Sequence, residues 1–160
     1  MSSTKVEPEA LRLLRERIGR VCSNSSRPPR ERLADVCRLL HDEVPGYDWV
    51  GFYVVEPPLA RELVLGPFVG APTEHVRIPF GRGVCGQAAE LRAAVVVDDV
   101  TRESNYLACS LDVKSEIVLP VFRGQELRGE LDIDSHRPAR FTADDRAFLS
   151  AVAEAAGALL

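Results

Sequence analysis

No apolar run in this 160-residue sequence reaches the roughly 18 residues that a membrane-spanning helix needs. That excludes a helical membrane protein. The opening stretch MSSTKVEPEALRLLRERIGR is charged throughout and has no apolar signal-peptide core. Basic residues are not in excess either. With 20 Lys and Arg against 24 Asp and Glu, the formal charge is -4, which leaves no electrostatic footprint for nucleic acid. Cysteine is sparse: four scattered residues form no CxxC pair, and His41, His75 and His136 fall at no ligand spacing. No metal site is expected from such spacings. Without an export signal, scattered thiols fit a reducing compartment, so the expected location is the cytoplasm. Internal repeats and low-complexity tracts are also missing.

What remains is an ordinary globular composition, 46% apolar and 28% charged, at a length suited to a single domain over residues 1–160. From Pro8 to about Cys22, the residues Leu11, Leu14, Ile18 and Val21 recur at helical spacing. A break from Ser23 to Pro29 ends this pattern, so that residues 1–28 are expected to form an N-terminal helix and its connecting loop. A second helical pattern runs through Leu33, Val36, Cys37 and Leu40 to the Pro45-Gly46 turn. The period then changes to that of strands in YDWVGFYVVE, RELVLGPF and HVRIPF. Residues 84–91 read as a helix, 94–97 as a buried strand, and 98–114 as a long loop without clear period. SEIVLPVF and ELRGELDIDS form a hairpin around Arg123-Gly124-Gln125, and Thr142 caps a last helix with Asp144 and Asp145 in its first turn. The expected fold class is α+β: a central antiparallel sheet with the N- and C-terminal helices on one face and a loop-covered ligand pocket on the other.

Strand alternation points to chemistry in that pocket. Ile117, Leu119 and Val121 share one face, which leaves Glu116 on the other; Leu131 and Ile133 likewise leave Asp132 and Asp134. If the apolar sets pack on the terminal helices, three carboxylates point at the pocket. Such a cluster needs a cation, a metal or a shared proton. The plainer alternative is a solvated sheet face. Among the thiols, Cys22 and Cys37 read as small buried hydrophobes. Cys85 sits at a glycine-rich helix start, where backbone N–H groups and the helix dipole are expected to lower its pKa. Cys109 lies in the long loop just before the Glu116 strand.

The segments DWVGFYVVE, LVLGPFVG, VRIPFGRGVCGQAA, LACSLDVKSEIVLPV and GELDIDS followed by RFTADD occur in order. Together they resemble the free methionine-(R)-sulfoxide reductases, a stand-alone branch of the GAF-domain proteins, from about residue 30 to the C-terminus. The resemblance implies a GAF-type fold and reduction of free L-methionine-(R)-S-oxide. It implies Cys109 as the catalytic thiol, oxidised to a sulfenic acid as methionine leaves, and Cys85 as a resolving thiol that forms a disulfide for reduction by thioredoxin. It further implies Glu116, Asp132 and Asp134 as the acidic substrate-binding set; because such a cluster holds one member protonated, Asp134 is expected as proton donor to the sulfoxide oxygen. Trp49 and Tyr53 fall at the aromatic positions near the methyl sulfoxide end, although a packed core pair also explains them. No bound cofactor is implied, only an external thioredoxin and NADPH system, and the family suggests a homodimer. Many members carry a third cysteine ten residues before the GVCG thiol, where this sequence has His75. Recycling is then expected through Cys85 or an external thiol. The alternative from another class is a non-catalytic GAF module that binds a small ligand or senses redox state through Cys85 and Cys109.

Overall fold

The computed structural model describes residues 8–56, 60–104, 106 and 112–160. Four α-helices flank one six-stranded sheet among the described residues: α1 (Pro8–Ser23), α2 (Pro29–Glu43), β1 (Trp49–Val55), β2 (Glu62–Val69), β3 (Arg77–Pro79), α3 (Gly83–Leu91), β4 (Val95–Val97), β5 (Ser115–Arg123), β6 (Glu126–Ser135) and α4 (Ala143–Ala156). The strand order is β3-β2-β1-β6-β5-β4, and each paired neighbour is antiparallel. This is the α+β arrangement expected from the sequence.

Two apolar layers sandwich the sheet. On one face, Leu11, Leu14 and Ile18 of α1, Leu33, Val36 and Leu40 of α2, and Phe148, Leu149 and Val152 of α4 pack on Val50, Phe52, Ile117, Leu119, Leu131 and Ile133. The 3.6-residue period of the helices meets the two-residue period of the strands there, and each buried aliphatic side chain contributes on the order of 1.5–3 kcal/mol. Because α1 joins this same cluster, it belongs to the common core. On the other face, Val84, Cys85, Ala88 and Ala89 of α3 pack with Tyr53, Ile78, Val97 and Val118.

Local signals explain the element ends. Pro29 opens α2, where its missing N–H costs no hydrogen bond. Thr142 and Asp145 form a reciprocal capping box at α4. The long stretch after β4 contains a short 3-10 turn at Val100–Arg102, held by the Asp99 carboxylate accepting from the Thr101 N–H. Asp145 does more than cap. Its carboxylate also accepts from the Tyr47 hydroxyl at 2.6 Å and the Arg140 guanidinium at 2.9 Å, while Arg140 donates to the Pro45 carbonyl. That buried network ties the entry to β1 to the start of α4. Among the described residues, no helix is long and apolar enough to cross a membrane.

Candidate functional site

The antiparallel register turns the alternation of three strands into rows across the inner face. Trp49 pairs with Asp134, which pairs with Glu116; Gly51 pairs with Asp132, which pairs with Val118; Tyr53 pairs with Glu130, which pairs with Pro120. Carboxyl groups therefore occupy the centre of three successive rows on β6, with a fourth beside them on β5. This face is dry. Relative exposures are 4% for Glu116, 1% for Asp132, 1% for Asp134 and 0% for Glu130, which removes the solvated-face alternative.

Helix α3 closes over the rows. Gly86 makes its approach possible, since a Cβ there would stand 2.7 Å from the Pro79 carbonyl oxygen, and the Gly81 N–H donates to the Gly86 carbonyl at 2.8 Å. The turn before the helix is thus pressed against β3, and Cys85 points at the sheet. Its Sγ, one oxygen of Glu116 and one of Asp132 all lie within 4.8 Å of one another. Tyr53, His75, Ile78, Arg82, Gly83 and Val84 complete the lining of a cavity around them, with about 250 Å³ of empty space including its mouth. The mouth carries Arg82, whereas the base carries carboxylates, so the cavity is polarised along its depth.

An aromatic wall stands at one side. The Trp49 ring stacks on Phe68 at 5.4 Å and on Tyr53 at 6.4 Å, and its Nε1 donates to the Ala71 carbonyl at 2.9 Å. Gly51 makes room for the indole: a Cβ there would sit 2.4 Å from Trp49 Cη2. The Tyr53 hydroxyl donates to the His75 carbonyl at 2.9 Å, fixing the segment before β3 over the cavity.

The electrostatics correct one expectation. Burial pushes the Cys85 thiol well above its ordinary pKa, and the charges of Asp132, Glu116 and Glu130 push it further in the same direction. A helix N-terminus stabilises an anion by about 0.3–1 kcal/mol at an exposed position, whereas full burial moves a titration by several units, so burial and like charge win. Burial also raises Asp132, opposed by hydrogen bonds from Glu116 and Cys85. Glu130 is raised well above the usual carboxyl range, first by burial and then by Asp132. Cys37 behaves as a buried apolar thiol, pushed up to about 12 by burial, with its Sγ directed at the Pro67 carbonyl.

A GAF domain model matches residues 28–160. The free methionine-R-sulfoxide reductase of Escherichia coli is 42% identical over 113 residues, which are 71% of this chain and 66% of that protein. Protein YtsP of Bacillus subtilis is 41% identical over 76% of this chain and 73% of its own length. The free methionine-R-sulfoxide reductase of Neisseria meningitidis, solved in complex with its substrate, superposes with a TM-score of 0.89 at 36% identity, covering 99% of this chain and 93% of that one. This chain belongs to the free methionine-(R)-sulfoxide reductase family.

Of the site residues expected for such a reductase, Cys85, Glu116, Asp132 and Tyr53 line the cavity together. Asp134 and Trp49 share the inner face and are cross-strand partners in the row next to Asp132, without being part of that lining. Cys109 lies outside the described residues. Two residues escaped the sequence reading. Arg82 was hidden because its register relative to the helix start is a tertiary matter. Glu130 was legible in principle: the alternation that pairs Asp132 with Asp134 includes it when read from one residue before Leu131.

Proposed function

We propose that this chain reduces free L-methionine-(R)-S-oxide to L-methionine. The observation that carries the reading is the dry cluster of Glu116, Asp132 and Cys85 at the base of a cavity in a member of this reductase family. A free amino acid brings an ammonium that satisfies buried carboxylates, and such a cluster keeps one member protonated. In this reading the ammonium binds among Glu116, Asp132 and Asp134. The α-carboxylate takes the cavity mouth, near the backbone N–H groups at the start of α3. A residue inside a protein chain offers neither group, so the pocket selects the free amino acid.

The reduction itself is assigned to Cys109. Its thiolate attacks the sulfoxide sulfur while a protonated carboxyl, Asp134, donates to the departing oxygen. The sulfur–oxygen bond of the substrate breaks, the oxygen passes to Cys109 as a sulfenic acid, and methionine leaves reduced by two electrons. Cys85 then forms a disulfide with Cys109 and water is released; thioredoxin, recharged by NADPH, returns both thiols. A resting Cys85 held as a neutral thiol does not compete with Cys109 for substrate. Action in the cytoplasm as a homodimer is part of the same proposal.

The test is NADPH consumption with thioredoxin, thioredoxin reductase and free methionine-(R)-sulfoxide. Turnover on that epimer is expected, with little on the S epimer or on an N-acetylated, amidated substrate. Comparable rates on the blocked substrate overturn the reading, and tight ligand binding without turnover favours the sensor module instead.

A further inference from the structure

Glu130 has no role in the chemistry above, yet its placement is costly. It is 0% exposed, and neither carboxyl oxygen has a hydrogen-bond partner among the described residues. A buried polar group left unpaired is destabilising, and an unpaired buried charge far more so. The side chain stands on the inner face of β6, two residues from Asp132, with Tyr53 of β1 and Pro120 of β5 as its cross-strand neighbours. Tyr53 and Asp132 both line the cavity, so Glu130 lies beside its base without being part of the lining.

The groups that face it decide its state. Asp132 stands beside it on β6 with Asp134 beyond, Tyr53 faces it from β1 and Pro120 from β5, Glu116 sits two rows away beside Asp134, and Cys85 of α3 is close enough to feel its charge. Arg128, two residues earlier on β6, is the cation nearest in sequence, and its guanidinium is engaged by Glu126 at 3.3 Å. Among the described residues no hydrogen bond or ion pair offsets an anion at Glu130, and burial together with the Asp132 charge favours its neutral carboxylic acid form. A cation entering the cavity changes that balance, because Asp132 is then neutralised and Glu130 faces a positive centre in a medium that screens poorly.

We propose that Glu130 is a positioning residue that couples substrate entry to proton release: when the substrate's ammonium settles among Glu116, Asp132 and Asp134, the Glu130 O–H bond breaks, its proton leaves to solvent, and the new carboxylate helps hold the cation. The bookkeeping of charge closes within the step, since one bound ammonium is matched by one released proton. This inference rests on the proposed amino-acid specificity of the cavity.

The experiment uses the Cys109→Ser protein, expected to bind without turnover, and free methionine-(R)-sulfoxide. Titration calorimetry in buffers of different ionisation enthalpy counts protons released per ligand bound. The expected result is about one proton released, falling towards zero when Glu130→Gln is added to Cys109→Ser. Glu130→Leu serves the same purpose if the amide does not fold. Infrared difference spectra give an independent reading. A carbonyl band at the high-frequency end, where a carboxylic acid without hydrogen bonds absorbs, is expected in the unliganded protein, should vanish on binding, and should be missing in either Glu130 variant. Ligand binding with the same proton count in both proteins, or a band that persists in the complex, overturns the coupling and leaves the specificity intact. Failure of the free amino acid to bind, with the blocked substrate binding in its place, overturns both.

Discussion

Replacing Asp132 by asparagine removes the charge that, after burial, contributes most to keeping Cys85 protonated. The two groups are within 4.8 Å, and at an effective dielectric of ~20 a unit charge at that distance disfavours a thiolate by roughly 3 kcal/mol. Asparagine retains an oxygen that can accept from the thiol, so part of that figure is kept in the variant. Roughly 100-fold more thiolate at a given neutral pH is then expected. Burial is the larger cause and persists, so Cys85 should still titrate above an ordinary cysteine. The assay is ultraviolet thiolate absorbance against pH in a Cys109→Ser background. Cys37, raised to about 12, stays silent in the neutral range, and Cys22 is also raised by burial. The same substitution removes an ammonium ligand and should weaken binding of the free substrate. An unchanged Cys85 titration would mean that Asp132 is itself neutral in the resting site, and the charge argument for both residues would fail.

Further outcomes follow from named contacts. Glu130→Leu should stabilise the fold by about 1–3 kcal/mol, or several degrees in Tm, because it removes an unpaired buried polar group. The gain has a defined pH dependence. Glu130 has a folded pKa above its ordinary 4.5, so its contribution to wild-type stability is fully present below that value and declines as pH rises towards the folded pKa. Thermal melts should therefore show a wild-type deficit that widens from about pH 5 upward; a gap independent of pH would contradict a neutral buried acid. Asp145→Ala strips partners from Tyr47, Arg140 and Thr142 at once and leaves a buried guanidinium, so a loss of about 3–5 kcal/mol is expected by denaturant titration. Gly86→Ala forces a Cβ to 2.7 Å from the Pro79 carbonyl and should cost about 1–3 kcal/mol while displacing Cys85; a variant with native stability and native Cys85 titration would show that the α3 start is not held by that contact.

Much of this molecule is written in local patterns. The helical period of Leu11, Leu14 and Ile18, the capping signal at Thr142 and the two-residue alternation of β5 and β6 depend on a few neighbouring residues, and each set the element and the buried face it was expected to set. The same alternation assigned Glu116, Asp132 and Asp134 to the inner face because a strand can present a side chain in only two directions. Whether that face was wet or dry was another matter. No period in the sequence states that α3 and the segment before β3 close over it, and only that closure buries four carboxyl groups. Cys85 shows the limit most directly: its helix-start position, a local property, argued for a stabilised thiolate, while the surroundings supplied by β5 and β6, some 30 to 50 residues further along the chain, argued against one and prevailed. Local propensity fixes where elements begin and which way their residues point; desolvation and charge at a site depend on what the rest of the chain brings there, and that is decided only when the sheet is assembled and α3 is laid upon it.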